Sequence, residues 1–372
     1  MKITIISHVQ HIANQNEYYG YAPYIREMNI WFKYVDDVIV VAPIIDGKLN
    51  PIYAKYEHKN LFFSSVPEFN ITSVKNLFYF IFILPKVAIT VFKAMSKADH
   101  IHLRCPGNMG LIASFVQILF PKKKKTAKYA GNWDPKAKQP LTYKLQRWIL
   151  SNSFLTKNMQ VLVYGNWPNQ SKNIKPFFTA TYFDSDKVEI LPRTLKDSIE
   201  FLFVGTLSKG KKPLYAIELA HELAKKGYTT QLNLYGEGEM RVELETYIKS
   251  HKLENYIFLK GNQSKETVLE AYKKSHFLLL PSKSEGWPKV VAEAMFWGCI
   301  PVVTPISCVP DMLNYGTRGV LLNENLQEDV GQLTNVIHDF EIYNTMSSEG
   351  QLWSQKYTLD YFENEIKKLL ET

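Results

Sequence analysis

The stretch FLFVGTLSKGKKPLYAIELAHELAKKGYTTQLNLYGEG (residues 201–238) decides the fold. FLFVGTL (201–207) is a short apolar run, as expected of a strand buried on both faces. KPLYAIELAHELAKKG (212–227) repeats its apolar residues at helical spacing and ends on Gly227, a helix-stop residue. QLNLYGEG (231–238) is a second strand with a glycine-rich exit. A strand, a crossover helix and another strand make the unit of a parallel sheet.

The same cadence continues outward. A helix near 239–250, the strand YIFLKG (256–261), a helix near 265–275, the strand FLLLPS (277–282), a helix near 288–298 and IPVVTP (300–305) follow in turn. That is the rhythm of a doubly wound, Rossmann-like domain. Toward the N-terminus, strands are expected at 3–7, 37–43, 100–104, 125–131 and 161–165. The chain therefore reads as α/β with two Rossmann-like domains, residues 1–192 and 193–355. The division falls near EILPRTLKDS (189–198), and a last helix at 356–372 is expected to pack back on the first domain.

The length of 372 residues suits two such domains. A hydrophobic content of 46% with 22% charged residues excludes a disordered chain. Cys105, Cys299 and Cys308 are too few for a disulfide framework or a Cys-rich zinc site, and fit a reducing compartment. The start, MKITIISHVQ, reads as a first strand and not as a signal peptide. In LFYFIFILPKVAITVF (77–92), Pro85 and Lys86 interrupt the apolar run. A buried or interfacial helix is expected there, not a membrane span.

The formal charge of +8 is concentrated. Residues 86–157 hold fourteen basic and two acidic side chains, a net +12, which leaves −4 for the rest of the chain. Within them an apolar run directly precedes Lys122, Lys123, Lys124 and Lys125. That pairing suits an anionic membrane surface, and equally a solvated tip after a core helix. No nucleic-acid motif accompanies it.

Ligands of open α/β sheets bind beyond the carboxyl ends of the strands. Three such exits carry candidates. In GTLSKGKK (205–212), Gly205 admits close approach, and Lys209, Lys211 and Lys212 precede a helix N-terminus that favours phosphate; a lysine-rich surface turn has the same composition. In YGEGEM (235–240), Gly236 and Gly238 flank Glu237, at a ligand contact or a tight turn. In PSKSEGWPKVVAEAMFWGCIPVVTP (281–305), Glu285 lies in a loop, Pro288 suits the first helical turn, and Glu293 lies on the second turn amid apolar residues. A carboxylate so placed needs a partner. The two glutamates fit hydroxyl groups on a sugar and a ribose, or a capping Glu285 and a salt-bridged Glu293.

With these exits in this order, residues 201–322 resemble family 4 glycosyltransferases. Glu285-x7-Glu293 in SEGWPKVVAEAM, followed by GCIPVVT, is similar to their donor-binding signature. The resemblance implies the GT-B fold, with two Rossmann-like domains facing a central cleft. It implies a retaining, hexosyltransferase-like enzyme of class EC 2.4. Such an enzyme moves a sugar from a nucleotide-diphosphate-sugar, of UDP or GDP type, to a hydroxyl of a glycan or lipid-linked acceptor in cell-surface polysaccharide assembly. No metal or other cofactor is implied. The implied location is cytoplasmic, peripheral on the inner face of the membrane.

The resemblance also assigns roles. Glu293 holds the ribose hydroxyls, Glu285 contacts the donor sugar, and Lys211 neutralises the diphosphate. Gly286, Trp287, Lys289 and Val290 lie by phosphate or sugar, while Gly205, Thr206, Lys209, Gly236 and Glu237 border the donor. Thr206 stands where the family has arginine, with Lys209 or Lys212 as substitutes. The loop SHVQHIANQNEYYGYAP (7–23) has only Gly20 in place of paired glycines. Acceptor-side candidates are His8, Gly20, Arg104 and Asn132, with Gln10 and His11 in the same loop. His102 reads as a satisfied core histidine.

Three other classes fit less well. A nicotinamide dehydrogenase lacks its G-x-G-x-x-G after the first strand. A glycosidase is opposed by the lysines. A non-catalytic nucleotide-sugar or glycan-binding scaffold is supported by Thr206 and the missing paired glycines.

Overall fold

The computed structural model describes residues 1–49, 52–69, 73–189 and 193–371. The chain forms two compact units, Met1–Phe177 with Glu363–Thr372, and Phe178–Phe362.

The first unit contains β1 (Lys2–Ile6), β2 (His11–Asn14), β3 (Glu17–Tyr21), α1 (Ala22–Phe32), β4 (Asp37–Pro43), β5 (Tyr53–Lys55), β6 (Leu61–Val66) and α2 (Val74–Lys97). It continues with β7 (His100–Cys105), α3 (Asn108–Val116), β8 (Lys124–Tyr129), α4 (Leu141–Ser151), β9 (Met159–Tyr164) and β10 (Ile174–Phe177). Seven strands form a parallel sheet in the order β10-β9-β8-β7-β1-β4-β6. Val38, Val40, Ile101 and Leu103 are fully buried, as central strands covered on both faces require.

The second unit contains β11 (Ile199–Val204), α5 (Pro213–Lys225), β12 (Thr230–Tyr235), α6 (Arg241–Ser250), β13 (Ile257–Gly261), α7 (Lys265–Lys274) and β14 (Phe277–Leu280). After these come α8 (Lys289–Phe296), β15 (Ile300–Val303), α9 (Val309–Met312), β16 (Val320–Leu321), α10 (Leu326–His338), α11 (Phe340–Ser354) and α12 (Leu359–Glu371), the last ending in the first unit. Its parallel sheet runs β13-β12-β11-β14-β15-β16. Ranked along the chain, that order is the doubly wound 3-2-1-4-5-6, and the first sheet follows it with one strand added.

Two expectations need correction. The segment 7–23 is not a plain loop: β2 and β3 pair antiparallel and β5 joins them. Gln15 and Asn16 turn the hairpin at φ 48° and 65°, as a two-residue type I′ turn requires. The helix expected around 77–92 is present, and α2 runs 24 residues through Pro85 and Lys86. Its part Phe78–Lys97 is by length and composition long and apolar enough to cross a membrane. Finally, the units divide at Phe177/Phe178 and not after residue 192; residues 190–192 lie outside the described ones. β10 pairs with β9, whereas Tyr182 packs on Phe296 and Trp297 of the second unit. The chain returns to the first unit with Glu363, which accepts hydrogen bonds from Lys33 and Tyr34.

His11, His100 and His102 of the first unit are buried, and desolvation draws their pKa values down, to about 4 for His11 and His100. A folded-state pKa below the unfolded one means stability is fully present above about pH 6.5 and is lost as pH falls toward 4. The loss is on the order of 3 kcal/mol for each of His11 and His100. Denaturant unfolding followed by tryptophan fluorescence is expected to show it, because the buried Trp31 ring lies 4.4 Å from His102. A flat profile over that range would contradict the burial of neutral imidazoles.

Candidate functional site

The strand order of the second sheet reverses between β11 and β14, so the loops 205–212 and 281–288 open side by side at its carboxyl edge. Backbone bonds tie these loops and the exit of β12 together. Gly205 donates to Tyr235 and Leu207 to Glu237, each at 3.0 Å; Met240 donates to Leu207 at 3.0 Å and Lys283 to Gly210 at 2.8 Å. Gly236, at φ 141°, lies so close that a Cβ there would sit 1.9 Å from the Gly205 carbonyl oxygen. A Cβ on Gly238 would sit 2.4 Å from the Leu207 oxygen. Loop-to-loop approach therefore accounts for both glycines. Glu237 makes a half-exposed pair with Arg241 at 2.6 Å, one helical turn on.

The three lysines separate. Lys211 closes a turn onto Ser208 and reaches Glu285 at 2.5 Å, with side chains 29% and 11% exposed. Lys212, at φ 50°, pairs instead with Glu324 at 2.6 Å. Lys209 and Lys212 line a cavity of about 420 Å³ with Tyr215, Glu218 and Glu243, and neither Lys211 nor Glu285 belongs to its wall. Lys209 and Lys212 thus stand apart from Lys211, and Thr206 is exposed.

Helix α8 begins after Pro288, and no side chain caps it. Among the described residues, no protein acceptor meets the N–H groups of Lys289 and Val290, so the positive end of the helix dipole stays open beside Glu285. The Gly286 carbonyl accepts from Ser307 Oγ at 3.0 Å and Cys308 Sγ at 3.2 Å, which fixes the loop. Trp287 stacks on Trp353 at 6.1 Å and meets Tyr357 edge-on.

Glu293 is half-buried and finds hydroxyls. Its Oε1 accepts from Thr181 at 2.7 Å and its Oε2 from Tyr272 at 3.1 Å. Burial, and then the Glu293 charge, push the Tyr272 phenol well above its ordinary pKa. The salt-bridged Glu293 considered from sequence is therefore replaced by a hydroxyl-bonded one, while Glu285 is the glutamate in an ion pair. Sequence reasoning missed Thr181 and Tyr272, which carry no local motif.

In the first unit, the corresponding reversal lies between β1 and β7. His8 follows β1 and packs on Gly107, where a Cβ would stand 3.1 Å from its Nδ1. Desolvation, and then Arg104, lower its pKa. Arg104 is not a surface charge. It meets Glu27 at 2.5 Å, and Lys128 meets the same oxygen at 3.0 Å, in a cluster of side chains 1–11% exposed. Neither Glu27 nor Lys128 stood out in the sequence.

Other acceptor-side candidates have packing roles. Gly20 sits in β3, where a Cβ would lie 3.0 Å from Ile25 and 3.1 Å from His11. His11 is buried and bonds Tyr56 Oη at 2.9 Å. Asn132 accepts from the Asp134 N–H at 2.8 Å, closing a turn. The lysine run is not a free tip. Lys123 donates to the carbonyls of Met95, Ser96 and Ala98, and Lys124 to that of Glu371. Lys125 is buried against the carbonyls of Gln117 and Phe120, and desolvation draws its pKa to about 8. Lys122 is exposed.

Residues 186–353 match the family described as "Glycosyl transferases group 1". The chain is 30% identical over 187 residues to the lipopolysaccharide 1,6-galactosyltransferase of Salmonella typhimurium, covering 48% of this chain and 51% of that protein. It spans about half the length of the curated relatives it matches, 52%, 47% and 45% for the first three. Among solved structures it is similar to the apo form of the lipopolysaccharide outer core galactosyltransferase WaaB, with TM-score 0.71 and 16% identity over 100% of this chain and 99% of that one. It is also similar to Anabaena Alr3699/HepE in complex with UDP and glucose, with TM-score 0.69 and 16% identity over 100% of both. At such identities the likeness concerns the fold, which is GT-B, built of two Rossmann-like units.

The glycine contacts make a direct prediction. Gly236→Ala is expected to lose about 2–4 kcal/mol of stability, because backbone must move to admit the methyl group. Gly210→Ala, whose nearest neighbour would be Ser208 Oγ at 3.9 Å, serves as control and should change little. Equal unfolding midpoints for the two variants would contradict the close approach.

Proposed function

We propose that the chain is a retaining glycosyltransferase of the family 4 kind, with Glu285-x7-Glu293 as its donor signature. It takes a sugar from a nucleotide-diphosphate-sugar of UDP or GDP type and transfers it to a hydroxyl of a glycan or lipid-linked acceptor. The setting is cell-surface polysaccharide assembly at the cytoplasmic side of a membrane. The observation that carries this reading is the Lys211–Glu285 pair beside the open start of α8, at the strand-order reversal. The family match over the same segment and the lipopolysaccharide relative support it. HepE, similar in fold, is a complex with UDP and glucose, which supports a uridine donor.

The chemistry follows from these groups. The bond between the sugar C1 and the diphosphate oxygen breaks as the acceptor oxygen bonds to C1, and the acceptor proton passes to the departing phosphate. Negative charge grows on the diphosphate. Lys211 and the amides of Lys289 and Val290 meet it, and such preorganised charge is the main source of acceleration. Lys211 leaves Glu285 for the phosphate, and Glu285 turns to the sugar hydroxyls. Glu293 already accepts from two hydroxyls, the pattern that a ribose diol presents.

Thermal stability with UDP, GDP, uridine and NADH tests the reading. A nucleoside diphosphate at 100 times its Kd should add ~2.7 kcal/mol. Glu293→Ala is expected to lose about 1.5–3 kcal/mol of that binding, tenfold or more in affinity. Lys211→Ala should weaken UDP while leaving uridine unchanged. No shift with any nucleoside diphosphate, or equal loss of UDP and uridine in Lys211→Ala, would overturn it.

A further inference from the structure

Helix α2 of the first unit has two apolar sides. One is seated on the sheet: Val87, Val91 and Met95 are fully buried, and Phe80, Ile83 and Leu84 pack on the same core. The other faces outward. Phe78, Phe82, Ile89 and Phe92 are 62%, 81%, 54% and 43% exposed. At ~100° per residue they fall within about 40° of one line along the helix, and Lys86, Lys93 and Lys97 form a second line roughly 60–100° away. The helix contains no acidic residue.

Burial separates the possible reasons for such a helix. A core helix is mostly covered, yet only 22% of the apolar window Phe78–Lys97 is buried, at a mean hydropathy of 1.7. A spanning helix would leave the unit, yet the seated side holds α2 along the sheet. A helix with an apolar outer stripe and a cationic flank belongs in the plane of a lipid interface.

The stripe is continuous with neighbouring surface. α2 packs on α3, and the Phe92 ring lies 5.1 Å from Phe120. Phe115 and Leu119 beside it are 48% and 66% exposed. α4 packs on α3 in turn and exposes Leu141 and Trp148. On the lysine flank of α2, a cavity of about 350 Å³ is lined by Lys2, Lys93 and Lys97 with Thr90, Ser64 and Phe62. Lys2 pairs there with Asp37 at 3.3 Å and the Thr90 hydroxyl donates to the Lys86 carbonyl, so Lys93 and Lys97 are the cations that suit the phosphate of a lipid headgroup.

We infer that this face of the first unit docks on an anionic lipid bilayer. Phe78, Phe82, Ile89 and Phe92 enter the boundary between headgroups and acyl chains, and Lys86, Lys93 and Lys97 meet lipid phosphates. The lipid contact thus falls on α2, whereas Lys123, Lys124 and Lys125 serve backbone carbonyls. The inference concerns the first unit alone and stands whether or not the second transfers sugar.

Flotation of the full chain with vesicles tests it, using phosphatidylcholine alone and phosphatidylcholine mixed with phosphatidylglycerol, at low and high salt. The chain is expected to float with the mixed vesicles at low salt. Phe82→Ser with Phe92→Ser should lower the bound fraction roughly fivefold or more, since exposed apolar area supplies the insertion. Lys93→Glu with Lys97→Glu should remove the preference for phosphatidylglycerol. All four changed side chains are exposed, and unchanged melting temperatures and UDP shifts in both variants keep this result separate from the donor reading. Three results would overturn the inference: no flotation of the wild type, flotation untouched by both variants, or a dimer in sedimentation that the two serine changes abolish while flotation persists.

Discussion

The approach of backbone 205–207 to backbone 236–238 is the constraint on which the second unit's site depends. Two missing Cβ atoms let a pair of strand exits share hydrogen bonds, and the shared bonds hold the Lys211 turn at the sheet edge. From there Lys211 meets Glu285, which a third exit carries. Neither charge is fully hydrated, so removing one partner leaves the other costly. A ligand that brings its own anion and its own hydroxyls relieves that cost by giving each charge a new partner. On the proposed reading, that ligand has phosphate at one end and a polyol beside it.

Much of this was legible in the sequence because periodicity reports burial. β11, β14 and β15 are apolar runs buried on both faces, β12 alternates buried and half-buried residues, and α5, α6, α7 and α8 announce themselves by helical spacing and glycine or serine punctuation. Glu285 and Glu293 stood out as carboxylates at a strand exit and in an apolar helix. What was not legible depended on distant contacts. Thr181 and Tyr272 reach Glu293 from 112 and 21 residues away. Glu27 and Lys128 surround Arg104 from separate elements. The hairpin at 11–21 hides in a polar, aromatic segment, and its turn uses Gln15 and Asn16 without a glycine. The lysine run fitted a membrane surface or a solvated tip because sequence does not show the carbonyls that Lys123 and Lys125 satisfy.

The first unit spends its polarity differently. Its strand-order reversal holds a buried cluster of one carboxylate and two cations, with His8 and the Tyr24 ring, 5.2 Å from Arg104, at its edge. Its outer helices expose aromatic and aliphatic side chains that ordinary packing would cover. The same stretch of chain, residues 86–157, carries most of the basic excess, so apolar and cationic surface coincide there. Two needs divide the segment: inward residues hold the sheet together, while outward residues remain free for contact.

The most direct measurement is amide hydrogen exchange of the full chain with and without UDP. Slowed exchange is expected only in 205–212, 236–240 and 286–291, with Leu207, Lys289 and Val290 among the protected amides. Protection absent from these loops while UDP binds elsewhere would contradict the placement of the donor at the joined strand exits.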